Sequence, residues 1–166
     1  HLFNFVDSFV VHEGETPLLR LVEQLRGDGD LSKVPNLVYK QDGEVKVNRP
    51  FAKEELNALP TPDFDGLPLD LYLSPERVLP VMGSRGCYWE QCAFCSIPFD
   101  HMTFHVRYAE NVVNDFKTLQ EKYNCNNFFF TDEALPINFL RTFAAKIIEQ
   151  KVDVQWTGEL KFEKSL

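Results

Sequence analysis

Cys87, Cys92 and Cys95 fall within nine residues, and the chain has only one other cysteine, Cys125. Thiolates are soft donors that hold iron-sulfur clusters or zinc. Three of them crowded into one stretch make a poor disulfide framework and a good metal loop. Three thiolates can bind three irons of a four-iron cluster, which leaves the fourth iron open to a chelating ligand such as the amino and carboxylate groups of an amino acid. Structural zinc completed by His101 or His105 is the alternative, and a thiol redox pair is a third reading. The lack of a second Cys-x-x-Cys pair favours the cluster, and the two histidines then read as loop residues beside it.

Other polar residues nearby carry two readings each. Asp132 and Glu133 either meet a ligand or cap the helix that follows, where carboxylates satisfy free amides and the helix dipole. Arg85 either pairs with a carboxylate in the protein or assists the anionic part of a ligand. Tyr88 and Trp89 either contact a ligand or shield the metal from solvent. Glu13 and Glu15 read as helix N-terminal charge rather than as catalysts.

Composition limits the surroundings of such a site. With 44% hydrophobic and 25% charged residues the chain is an ordinary globular protein rather than a disordered one. A net charge of −8 argues against duplex nucleic acid, whose binders concentrate lysine and arginine. No segment approaches the roughly 20 apolar residues of a membrane span, and no secretory signal is recognisable. The expected location is the cytoplasm.

The elements that must position the cysteines alternate. Phe3 to Val11 reads as a strand, and Leu18, Leu19, Val22 and Leu25 recur at helical spacing before the stop at Gly27-Asp-Gly-Asp30. One strand-helix unit leaves edges and an apolar face uncovered, so the chain is expected to begin inside a larger fold. Asp42-Gly43 between two apolar runs predicts a hairpin, and Pro60 to Pro75 reads as an ordered linker. A strand at Val78–Met82 then precedes the cysteine loop. Helices are expected from about Ala109 to Tyr123, with Val112, Val113, Phe116, Leu119 and Tyr123 on one face, and from about Ile137 to Lys151, with Phe139, Leu140, Phe143, Ile147 and Ile148 inward. Strands are expected at Asn127–Thr131, buried on both faces with Phe128, Phe129 and Phe130 in the core, and at Val152–Trp156. The alternation predicts a parallel sheet. Ligands gather at the carboxyl ends of such strands, which brings the cysteine loop, Thr131-Asp132-Glu133 and Thr157-Gly158-Glu159 to one rim. Cys125 precedes its strand, so it belongs on the opposite rim, roughly 15 Å away at about 3.3 Å per residue.

Ser84-Arg-Gly-Cys87 after a strand, followed by Cys92-Ala-Phe94-Cys95, resembles the cluster loop of radical S-adenosylmethionine enzymes, and more narrowly of the branch with an N-terminal cobalamin-binding domain. Tyr88, Trp89, Glu90 and Gln91 make the first gap one residue longer than the family's usual three, a change that Gly86 can accommodate because it tolerates unusual backbone angles. Val6 to Val11 followed by His12-Glu-Gly-Glu15 resembles the last strand and Gly-Glu-Gly-Glu turn of the cobalamin domain, with His12 in place of glycine.

The resemblance implies a fold class and a division of the chain. The fold class is α/β: the opening strand-helix units of a partial parallel (β/α) barrel, preceded by a hairpin linker and the end of a Rossmann-like cobalamin-binding domain. Residues 1–30 would end the cobalamin domain, 31–76 would form the hairpin and proline-rich linker, and 77–166 would open the radical S-adenosylmethionine core. About eight strands complete such a barrel, so the chain is expected to end inside it and to be inactive alone.

The resemblance also implies a chemistry. Cys87, Cys92 and Cys95 would hold a 4Fe-4S cluster whose electron cleaves S-adenosylmethionine to methionine and a 5′-deoxyadenosyl radical. Phe94 would pack near the adenine, and Thr131, Asp132 and Glu133 stand where the family meets the methionine amino group. Cobalamin in the full-length protein, a small-molecule or peptide substrate, and an external electron donor such as flavodoxin or ferredoxin complete the expectation. Methyl transfer is the leading reaction, in a branch that also performs cyclisations and other rearrangements. The rival of another class is a zinc-binding interaction module without catalysis.

Overall fold

A computed structural model describes residues 5–97 and 103–162. The described residues divide into two compact units, one reaching Glu55 and the other starting at Leu56. Phe3 and His101 lie outside the described residues.

In the first unit, strand β1 (Ser8–Val10) leads into helix α1 (Glu15–Arg26), and β2 (Leu37–Gln41) and β3 (Glu44–Val47) follow. The hairpin forms as its sequence dictates: Asp42 and Gly43 take φ +52° and +83°, the left-handed pair that a two-residue turn of matching twist requires. β1 adds to it antiparallel, with Ser8 opposite Tyr39, so the sheet order is β1-β2-β3. The hairpin therefore shares one sheet with the first strand. Val34, Leu37 and Tyr39 form its small core. Leu18, Leu19 and Leu25 of α1 are exposed.

Polar groups knit this unit where the apolar core is thin. Asn36 donates from Nδ2 to the Ala52 carbonyl at 2.8 Å and accepts from the Ala52 amide at 2.6 Å. Glu54 accepts from the Thr16 amide and hydroxyl, both at 2.7 Å, and so satisfies the first turn of α1 from a distant segment. Glu13 is buried and accepts from the Glu54 amide at 2.5 Å. Its role is to hold that capping residue. The Gly14 position at the helix start has no side chain to cap with, and the periodicity of the helix carries no sign of Glu54.

The second unit holds β4 (Val78–Val81), β5 (Ser84–Arg85), β6 (His105–Val106), α2 (Ala109–Tyr123), β7 (Asn127–Phe130), α3 (Ile137–Glu149) and β8 (Gln155–Thr157). β4, β7 and β8 form a parallel sheet in the order β4-β7-β8. Leu79, Val81, Phe128 and Phe130 pack with Val112, Phe116 and Phe143 from the helices. Phe116 stacks on Phe128 at 4.3 Å, and Trp156 meets Phe143 edge-on at 5.5 Å. Burying a phenylalanine of this kind stabilises the fold by roughly 1.5–3 kcal/mol.

Three expectations need correction. Phe129 is 38% exposed, because the register sets it between Pro80 and Thr157 on the sheet face opposite to Phe128 and Phe130. Strand side chains alternate faces, and the described helices cover only one. Ile148 is 76% exposed rather than inward. The seam of α3 is filled by Phe139 and Phe143, with Leu140 and Ile147 partly buried, and Ile148 falls beyond it. β8 also starts three residues later than expected, at Gln155.

Candidate functional site

The parallel register brings the ends of β4, β7 and β8 to one rim. From the end of β4 the chain turns through Met82 and Gly83 into β5, makes its excursion through the cysteines, and returns as β6. Ser84 pairs with Val106 and Arg85 with His105. This two-residue ladder closes the neck of the cysteine loop.

The neck is fixed to the core from two sides. Asp132, just past β7, accepts from the Gly83 amide at 2.9 Å, from the Ser84 hydroxyl at 2.5 Å and from the Ser84 amide. Arg107, just past β6, donates its amide to the Gly83 carbonyl at 2.8 Å and its Nη1 to the Met82 carbonyl at 3.2 Å. Arg107 is held in turn by the buried Asp115 of α2. Gly83 is glycine for a steric reason, since a Cβ there would lie 2.7 Å from Cζ of Phe139.

Inside the loop, Gly86 takes φ +80° and Glu90 φ +50°. Cys87 and Cys95 are partly buried and Cys92 is exposed, all three as free thiols, and the Cys95 amide donates to the Cys92 carbonyl at 3.1 Å. Among the described residues no three cysteines, histidines or carboxylates are gathered as a metal would require. Metal ligands on a stretch without regular structure are ordered by the metal itself, whose binding energy is coupled to folding. Free thiols on a loop whose neck is fixed suit that mode of assembly. His105 pairs through its backbone with Arg85 in the neck ladder. Phe94 is 92% exposed.

The remaining candidates cluster at the same rim but are engaged differently from one another. Thr131 extends the ladder, donating its amide to the Val81 carbonyl at 2.9 Å. Asp132 is buried, and desolvation pushes its carboxyl above the usual range, opposed by the Gly83 and Ser84 hydrogen bonds. It does not cap α3, whose N-cap position is Pro136 and has no side-chain cap. Beyond β8, Lys161 Nζ stands 3.8 Å above the ring of Trp89, so the segment after the third strand reaches the cysteine loop. Tyr88 meets Phe104 edge-on at 5.8 Å.

Cys125 is buried and donates to the carbonyls of Arg77 and Asn127, both at 3.2 Å. Those residues stand at the amino-terminal ends of β4 and β7, the rim opposite to the cysteine loop. A cavity of about 470 Å³ lined by Phe64, Leu69, Tyr72, Arg77 and Pro80 opens at that end as well. It is therefore remote from the three cysteines.

No family model matches the chain. Over 163 residues it is 30% identical to an uncharacterized methyltransferase of Pyrococcus horikoshii, an alignment that covers 92% of this chain and 34% of that protein. The chain thus spans about a third of the length of that curated relative. Among solved structures, the cobalamin-dependent S-adenosylmethionine radical enzyme OxsB is similar with a TM-score of 0.72 at 20% identity, over 96% of this chain and 24% of its own. TsrM of Kitasatospora setae, a radical S-adenosylmethionine methyltransferase solved with cobalamin and a 4Fe-4S cluster, gives a TM-score of 0.70 at 18% identity, over 90% of this chain and 31% of its own. No described helix is long and apolar enough to cross a membrane. The chain is a mixed α/β structure with a parallel sheet, and its fold matches that of cobalamin-dependent radical S-adenosylmethionine enzymes.

Proposed function

We propose that this chain is the cluster-binding portion of a radical S-adenosylmethionine enzyme, and that the whole protein binds cobalamin and transfers a methyl group. The observation that carries the reading is a loop with three free cysteines whose neck is clamped at the carboxyl-terminal rim of a parallel sheet. The likeness in fold to OxsB and TsrM supports it, as does the resemblance to the P. horikoshii methyltransferase. TsrM has also been solved with a tryptophan substrate, which fits a small-molecule or peptide substrate here.

Cys87, Cys92 and Cys95 would hold three irons of a 4Fe-4S cluster. When bound and reduced, the cluster supplies the electron that splits the carbon-sulfur bond of S-adenosylmethionine. The chain's own residues have the tasks of binding, orienting and excluding water. Asp132 and Arg107 hold the loop neck, Trp89 under Lys161 shields one flank, and Phe94 is available to cover an adenine. The electron would come from an external flavodoxin or ferredoxin.

Anaerobic reconstitution with iron and sulfide tests the reading. The expected product is brown, with about four irons per chain, and Cys95→Ala loses the colour while Cys125→Ala keeps it. A colourless chain with one tightly held zinc overturns the reading in favour of a structural zinc module.

A further inference from the structure

Asp132 offers an unusual use of a carboxylate at the rim of a parallel sheet. It is 2% exposed, and its oxygens are turned back towards the start of the cysteine loop. Oδ2 accepts from the Gly83 amide at 2.9 Å, while Oδ1 accepts from both the amide and the hydroxyl of Ser84, the hydroxyl at 2.5 Å. A buried carboxylate is tolerated only where donors replace the water it has lost, and here all three donors come from two adjacent residues of the neck. Two consecutive amides converging on one anion also fix the direction in which the backbone leaves them.

The sheet alone would not do this. β4 ends at Val81 and β5 begins at Ser84, so Met82 and Gly83 lie between two ladders. The Gly83 amide must find an acceptor outside them, since a buried unpaired amide is costly. Asp132 supplies that acceptor, and Arg107 supplies the donor for the Gly83 carbonyl. The Gly83 peptide groups are thus held by residues that follow β7 and β6. The chain leaving Ser84 reaches Cys87 three residues later.

We infer that Asp132 is a positioning residue that sets the departure of the cysteine loop, and that it is not a ligand-contacting group of the Thr131-Asp132-Glu133 segment. This rests on the proposed cluster for its functional consequence but not for its structural content. Contact with any bound ligand then falls to Glu133 and the loop residues, while the carboxylate of Asp132 stays turned to the backbone in the loaded protein.

The test has two arms on the full chain. In the metal-free protein, amide hydrogen exchange at Gly83 and Ser84 is compared among the wild type, Asp132→Asn, Asp132→Ala and Ser84→Ala. Asp132→Ala should speed exchange at both amides at least tenfold, Asp132→Asn less because it keeps one acceptor, and Ser84→Ala least, with α2 and α3 protected throughout. Unchanged exchange in Asp132→Ala overturns the inference. In the reconstituted protein, iron release to a chelator should be at least tenfold faster in Asp132→Ala, with Asp132→Asn partly restored. Equal release rates in Asp132→Ala and the wild type also overturn it. If the wild type binds zinc and no iron, the proposed function fails, and the exchange arm alone still decides the role of Asp132.

Discussion

Arg107 and Asp115 form an ion pair at 2.6 Å in which each side chain is only 5% exposed. Thr61 donates its hydroxyl to the other Asp115 oxygen at 2.6 Å, so the carboxylate has a partner on each side. The pair ties the strand that returns from the cysteine loop to the first half of α2. Such a pair need not add net stability over an apolar replacement, but breaking it strands a charge in the core.

Asp115→Ala should therefore cost roughly 3–5 kcal/mol, read as a shift in urea unfolding. Thr61→Ala should cost about 1 kcal/mol, the usual value of one hydrogen bond. A loss under about 1 kcal/mol in Asp115→Ala would show that the buried pair is not holding the return strand.

Gly83→Ala should destabilise the second unit by roughly 1–3 kcal/mol through overpacking, because the new methyl would sit 2.7 Å from the Phe139 ring. Phe139→Leu in the same chain should recover part of that loss by vacating the space. Thermal melts of the single and double variants check the coupling, and strict additivity would place the damage elsewhere.

Asp63 lies at the surface with Lys122 Nζ 2.8 Å away and the Tyr123 hydroxyl donating at 2.7 Å. The lysine, then the tyrosine hydroxyl and the Asp65 amide, hold its carboxyl well below the usual carboxylate range. A folded value below the unfolded one gives stabilisation that is present above the unfolded pKa and lost as pH falls through the folded one. Asp63→Asn should thus melt lower than the wild type near neutral pH, with the gap narrowing below about pH 4 and in high salt. A gap that stays constant from neutral pH to strong acid would sink this assignment.

His12 takes φ +63° at the position where the resembling turn has glycine. A left-handed residue with a Cβ costs roughly 1–2 kcal/mol, offset here in part by the edge contact with Phe51 at 4.8 Å. His12→Val should be less stable than His12→Gly by about that amount in urea titrations, and equal stability would show that the turn relaxes.

Much of the fold is legible because its signals are local. Helix α2 runs from Ala109 to Tyr123 as its 3.6-residue apolar period predicts, and Asp42-Gly43 makes the expected turn. The missing parts depend on pairings distant in sequence. Neither β5 nor β6 is long enough to show a period, and they exist because Ser84 meets Val106. Asp132 reads in the sequence as a residue of its own segment and Glu54 carries no signal at all, yet each works on a backbone about 40 to 50 positions away. The apolar pattern names hydrophobic residues but not which sheet face is covered, which is why Phe129 was misplaced. The three cysteines are readable in the sequence as thiols of one loop, and their mutual geometry is not encoded in spacing alone.

The ladder joining Ser84 and Arg85 to His105 and Val106 also makes loop length nearly free to vary. With the neck already closed, one added residue in a loop of roughly 20 changes the closure entropy by only on the order of 0.05 kcal/mol. A residue more or less between Cys87 and Cys92 is then a change the fold barely registers, and the spacing of thiols can drift in sequence while the doorway through which they enter the rim stays put.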